Sequence, residues 1–148
     1  MKAKRLDSSA SQTTWVLVFD KGDGVMKTLT AFAKEHDVGA AHFTAIGAFR
    51  RVRLGYFRRE RKDYKEIPVE EQVEVLSLIG DIAVDHGEPT VHAHTVVGTV
   101  DGTARGGHLL EAEVWPTLEL VLTQSPRHLR KKFDPDVGLA LIDLSAAA

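Results

Sequence analysis

Residues 90–110 run Thr90-Val91-His92-Ala93-His94-Thr95-Val96-Val97-Gly98-Thr99-Val100-Asp101-Gly102-Thr103-Ala104-Arg105-Gly106-Gly107-His108-Leu109-Leu110. Two stretches rich in strand-forming residues flank Asp101-Gly102, a dipeptide that strongly signals a hairpin. Thr90–Val100 and Arg105–Trp115 are therefore read as paired strands. Side chains alternate across a strand, so His92 and His94 share a face. His108 sits on the partner strand just past the turn. Neutral imidazole is a good zinc ligand, and three protein ligands with one open position is the usual catalytic arrangement. The expected site is a divalent metal, zinc foremost, held by His92, His94 and His108. The competing reading is a hydrogen-bonded polar pocket or a pH-sensitive cluster.

This reading makes a demand on register. A two-residue Asp101-Gly102 turn would set residue 94 opposite residue 109 and turn His108 to the wrong face. A one-residue shift corrects it. Either the loop holds an odd number of residues, or a bulge falls at Gly106-Gly107, where glycine tolerates positive φ.

Outward from the hairpin, strands dominate. Trp15–Phe19, Ala40–Ala48, Val52–Tyr56, Val69–Ile79, Leu118–Leu122 and Leu139–Leu144 all carry strand patterns. Val25, Leu29, Phe32 and Ala33 form a helical stripe, predicting one helix from near Asp23 to before Gly39. Arg58–Lys65 reads as a charged turn, Asp85–Pro89 as a loop, and Ser125–Lys132 as a helical turn capped by Ser125 with Pro126 behind it. Residues 1–14 are polar and read as an N-terminal arm or a late-starting strand; 15–144 form a single domain; 145–148 are a tail. One helix among many strands joined by short turns is an α+β pattern with a mainly antiparallel sheet.

Composition bounds the function. The chain has 148 residues, 43% hydrophobic and 27% charged, which excludes disordered and collagen-like classes. With no cysteine, disulfides, thiolate metal sites and thiol nucleophiles are excluded. No apolar run approaches the ~20 residues of a spanning helix, so no membrane association is expected. The N-terminus shows no apolar leader core, and the expected location is cytoplasmic. Net charge is −2 and the pI about 6.4, unlike the strongly basic domains typical of DNA binders. Basic residues do cluster locally, at Arg50, Arg51, Arg53, Arg58, Arg59, Arg61 and Lys62 and again at Arg127, Arg130, Lys131 and Lys132. Phosphate-loop, nucleophile-elbow and His-Glu-x-x-His motifs do not occur.

Among the carboxylates, Glu119 sits between Leu118 and Leu120 and opposes them on strand parity. It is the catalytic candidate, either a general base near a metal-bound water or an ordinary edge or interface carboxylate. His36 and His42 lack ligand spacing, His128 reads as surface, and His86 is a loop residue close to the hairpin.

The elements Gly87-Glu88-Pro89-Thr90-Val91-His92-Ala93-His94, Asp101-Gly102, Gly106-Gly107-His108-Leu109-Leu110 and Pro116-Thr117-Leu118-Glu119, in that order, resemble the prokaryotic PPC (plant and prokaryote conserved) domain. Glu74-Val75-Leu76-Ser77-Leu78 with Gly80 resembles a core segment of the plant members, and the likeness runs from about Trp15 to Leu144. The resemblance implies an antiparallel sheet packed on a helix, a homotrimer, and a metal at His92, His94 and His108. It also implies a regulatory, DNA-associated role, since plant members carry the domain behind AT-hooks. This chain departs from that pattern. It has no Arg-Gly-Arg-Pro hook, and Glu71-Gln72-Val73-Glu74-Val75-Leu76 replaces the plant Gly-Arg-Phe-Glu-Ile-Leu segment. The functional expectation is a homotrimeric metal-holding binding module. Its alternatives are a zinc-dependent lyase or hydrolase acting on a small polar molecule, and a purely structural metal.

Overall fold

The computed structural model describes residues 1–8 and 11–145. Among these described residues nine strands and one helix follow in the order β1 (Lys2–Ser8), β2 (Thr13–Phe19), α1 (Val25–Glu35), β3 (Ala40–Arg58), β4 (Asp63–Val69), β5 (Val73–Asp85), β6 (Glu88–Gly98), β7 (Ala104–Gln124), β8 (Lys131–Asp134) and β9 (Leu139–Ile142). All named strand pairs are antiparallel. This is the α+β class expected from the sequence.

The long strands close on themselves. The main sheet runs β1-β2-β7-β6-β5-β3-β4, and β7 pairs again with β3. The ring β3-β5-β6-β7 thus has no open edge, and β1 and β4 are the terminal strands of the sheet. Inward-facing Phe43, Phe49, Leu54, Leu78, Ile82, Leu109, Leu118, Leu120 and Leu122 fill the core. Helix α1 buries the predicted stripe of Val25, Leu29, Phe32 and Ala33. It packs on β6 and β7. Its end is fixed by Val38, whose N–H donates to Ala33 O at 2.8 Å beside positive-φ Asp37.

Several local expectations are corrected. Residues 2–8 are strand β1 rather than a loose arm; residues 2–7 lie exposed at the sheet edge, and four of those six are charged. Asp63–Val69 is a strand, and the charged turn shrinks to residues 59–62, closed by Lys62 N–H to Arg58 O at 2.9 Å. An edge position accommodates Pro68, which lacks a ladder donor. Arg105–Trp115 and Leu118–Leu122 belong to one strand, β7. The β3–β7 ladder skips from Phe49↔Val114 to Gly47↔Leu118, so Pro116 breaks the pairing without ending the strand. A side chain at Gly47 would run into Thr117 O and lie 2.8 Å from Leu118 Cα, so the close approach there requires glycine.

Ser125–Lys132 contains no helical turn among the described residues. Its backbone groups pair with neighbouring elements instead. Ser125 N–H donates to Ala40 O at 2.9 Å, Leu129 N–H to Gly39 O at 3.0 Å, and Leu129 O accepts from Val84 N–H at 2.7 Å. Those tertiary bonds replace the local bonds of a helix and lay the segment against β5.

Candidate metal centre

Hairpin register places the histidines. Gly98 pairs with Ala104 and His94 with His108, which leaves residues 99–103 as the loop. The odd-numbered loop is the solution, and the ladder runs through Gly106-Gly107 without a bulge. Gly107 serves a different end: a Cβ there would lie 2.8 Å from Gly55 O on β3, so the glycine lets the two strands approach beside His108. Asp101 organises the loop, accepting from the Thr99 hydroxyl and, at 3.0 Å, from Thr103 N–H. Those donors hold its carboxyl down at about 2.

Ala93 is buried in the core, which turns its neighbours His92 and His94 to the outer face of the sheet. Direct pairing adds His108 to that face. The three ring centroids stand 5.2, 5.2 and 5.3 Å apart. One ligand atom from each ring lies within 4.8 Å of the others. Tyr64 stacks on His108 at 4.6 Å and 22°, fixing that ring in its plane.

Burial and neighbouring charge favour the neutral form of His108 and His94. Burial, then the charges of His92, His94 and Lys131, push His108 down to about 4. Burial, then His92, lowers His94. The Nδ1 of His108 is buried with no hydrogen-bond partner among the described residues. Leaving such a nitrogen unsatisfied costs about 1–3 kcal/mol. Converging imidazoles with one orphaned nitrogen fit a divalent cation, and zinc suits an all-imidazole donor set.

Sequence reasoning overlooks a carboxylate beside the triad. Asp81 Oδ2 lies 3.2 Å from His92 Nδ1. Its Oδ1 lies 3.7 Å from Lys131 Nζ. Burial raises the Asp81 carboxyl, but the His92 hydrogen bond and the Lys131 charge outweigh it, and the net shift is downward. A signal for this residue does exist. His86 and Gly87 both have positive φ and form the turn between β5 and β6, with Asp85 opposite Glu88. Counting back from that turn puts Asp81 opposite His92.

Other candidates lie elsewhere. Glu119 is exposed, pairs with Val18 and Ile46, and is not among the clustered ligands. His86 is 90% exposed at its turn. His36 packs against Trp15 and Phe32. His42 is exposed opposite Asp81 on β3, outside the cluster. His128 covers Gly39.

Four of the seven basic residues of this stretch pair with carboxylates across the sheet or its turn, Arg50 and Arg51 sharing one. Arg50 and Arg51 reach Glu113 at 3.1 and 3.0 Å, Arg53 reaches Glu111 at 2.8 Å, and Arg58 reaches Asp63 at 2.6 Å. Among the described residues no helix is long and apolar enough to cross a membrane.

A mainly antiparallel sheet with one helix and a His-x-His hairpin defines the class, and the family comparison agrees. Residues 6–126 match the Plants and Prokaryotes Conserved (PCC) domain, and the chain belongs to that family. It is similar to a PPC protein from Pyrococcus horikoshii, with 32% identity over 90% of this chain and 93% of that one, at a TM-score of 0.84. It is also similar to a protein from Archaeoglobus fulgidus described as metal-containing, with 34% identity over 87% and 91% and a TM-score of 0.81. A candidate DNA-binding protein from Bacteroides thetaiotaomicron shares 26% identity over 97% and 99%, with a TM-score of 0.86. No curated protein matches the chain.

Proposed function

We propose that this PCC-domain chain holds a divalent metal, zinc foremost, through His92, His94 and His108, and works as a homotrimeric binding module associated with DNA. The observation that carries the metal is the convergence of the His92, His94 and His108 rings, together with a buried Nδ1 on His108 that has no hydrogen-bond partner among the described residues. The description of the Archaeoglobus fulgidus relative as metal-containing supports it. Self-association is supported by exposed Ile46, Leu76, Ile79, Val96 and Val121. Ile79 pairs with His94, so this apolar surface borders the histidines. An exposed apolar patch of this kind marks an interaction surface.

DNA association rests on the description of the Bacteroides thetaiotaomicron relative. The four arginines of residues 50–58 face carboxylates, which reduces the positive charge they offer to phosphates. The zinc lyase or hydrolase reading is weaker, because Glu119 lies outside the histidine cluster.

Elemental analysis of the purified protein tests the centre, with light scattering for mass. One metal per chain and a mass three times 16.3 kDa are expected. His92→Ala should lose the metal. Metal-free wild-type protein that also refuses added zinc would overturn the proposal. Mobility shifts at two salt concentrations test the DNA role, since phosphate contacts weaken steeply with salt.

A further inference from the structure

Asp81 touches the centre from outside it. Its Oδ2 is the partner of His92 Nδ1, at 3.2 Å. Its Oδ1 is buried without a hydrogen-bond partner among the described residues. The nearest cation is the ammonium of Lys131, 3.7 Å away, on a side chain only 7% exposed. Lys131 opens β8, beyond residue 126 where the family match ends. The backbone just before it is pinned to β5, through Val84 N–H to Leu129 O at 2.7 Å and a parallel bridge between Val84 and Arg130. The ammonium is therefore delivered to a fixed place.

An imidazole binds a metal through one nitrogen only when the proton sits on the other. A carboxylate at Nδ1 keeps the proton there and leaves Nε2 as the ligating atom. A half-buried carboxylate needs its own counter-charge to stay ionised and in place. We infer that Asp81 is a positioning residue for the metal centre, fixing the His92 proton on Nδ1, and that Lys131 of the C-terminal hairpin locks Asp81 in that role. The inference rests on the metal reading and goes beyond it: a segment outside the family match would tune the affinity of the family's site.

Simple electrostatics makes the opposite prediction for Lys131. A positive charge near the rings repels a cation, so its removal should tighten binding. If Lys131 instead locks Asp81, removal should loosen binding.

The experiment uses the full chain, zinc alone as ligand in competition with a chromophoric chelator, and ¹⁵N NMR of the histidine rings in metal-free protein. Wild-type His92 should carry its proton on Nδ1. Asp81→Ala should lose that preference and bind zinc 10–100-fold more weakly, the usual effect of removing an outer carboxylate. Asp81→Asn keeps an accepting oxygen and should retain the tautomer, losing less affinity than the alanine variant. Lys131→Met should weaken zinc binding. The inference fails if wild-type His92 is protonated on Nε2, if the two Asp81 variants lose affinity equally, or if Lys131→Met binds zinc as tightly as wild type or tighter. Should Asp81→Ala not fold, the wild-type tautomer and Lys131→Met still decide. Wild-type protein that binds no zinc would instead refute the metal reading, and the tautomer measurement would separate the two failures.

Discussion

Gly80→Ala is expected to damage fold and site together. Gly80 lies on β5, paired with Phe43 on β3 and Ala93 on β6. A Cβ there would collide with the carbonyl oxygen of His92 and with Phe43 Cζ, and would sit 2.9 Å from Phe43 Cε2. Neither neighbour yields easily. Phe43 is 2% exposed in the packed core, and the His92 carbonyl belongs to the backbone of β6. Overpacking of this kind costs about 1–3 kcal/mol, and a backbone obstacle argues for the upper half, about 2–3 kcal/mol. At about 2–4 °C per kcal/mol for a chain near this length, the melting temperature should fall by about 4–12 °C.

The displacement should also reach the centre, because the obstructing carbonyl is that of a proposed ligand. Zinc affinity of the folded variant should drop at least about tenfold, the lower bound for disturbing a ligand's support. Phe43→Leu in the same chain frees part of the space, so a double-mutant cycle should show positive coupling of about 0.5–3 kcal/mol, the range for residues in contact. Calorimetry of the three variants with a chelator titration is the assay. A Gly80→Ala protein within about 0.5 kcal/mol of wild type, the range typical of uninvolved surface sites, would refute the packing argument.

Three further outcomes follow from named contacts. With free zinc at about a hundred times its Kd, binding should add about 2.7 kcal/mol to unfolding, and this increment should vanish on chelation or in His94→Ala; thermal melts read it directly. Thr95 is 2% exposed and its hydroxyl donates to Ser77 O at 2.9 Å, so Thr95→Val should cost about 1 kcal/mol in denaturant unfolding with the fold intact. The Asp101 carboxyl should titrate near 2 by NMR, and Thr99→Val should raise that midpoint. The sign follows: a folded pKa below the unfolded value of 3.8 stabilises the hairpin loop above that pH, and the effect disappears as pH falls through about 2.

The histidine hairpin is legible because its signals are local. Asp101-Gly102 announces a turn, and period-two alternation puts His92 and His94 together. Its loop length is less legible, because Asp-Gly serves two-residue turns and longer loops alike. Here Asp101 accepts from Thr103 N–H inside the longer loop, and that extra residue brings His108 onto the right face. Gly106-Gly107 suggests a bulge, but the reason for Gly107 is the neighbouring strand at Gly55, which no local pattern reveals. β1 and β4 are hard to see for a related reason. An edge strand buries few side chains, so its sequence stays polar and carries little alternation. Lys131 is the extreme case: a basic run reads as solvated surface, and only the docking of Leu129 on Val84 converts one of its lysines into a buried counter-ion.

The same comparison bears on charge. Seven basic residues between Arg50 and Lys62 suggest an electropositive surface. The antiparallel pairing of β3 with β7 sets Arg51 opposite Glu113 and Arg53 opposite Glu111, so the charges meet across the ladder. Exposed pairs of this kind add at most about 1 kcal/mol each to stability. Their larger effect is to cancel the field that would draw in a polyanion, since steering depends on uncompensated charge. Any nucleic-acid contact by this chain therefore has to be assembled from basic groups outside these ladder pairs, or from several copies brought together on the apolar face beside the histidines. Where several copies supply the contact, as the proposed homotrimer would, assembly and nucleic-acid affinity are coupled. A variant that breaks self-association, such as Ile79→Lys, should lose duplex binding even though it adds positive charge. Binding that rises with the added lysine would show that charge alone governs the contact.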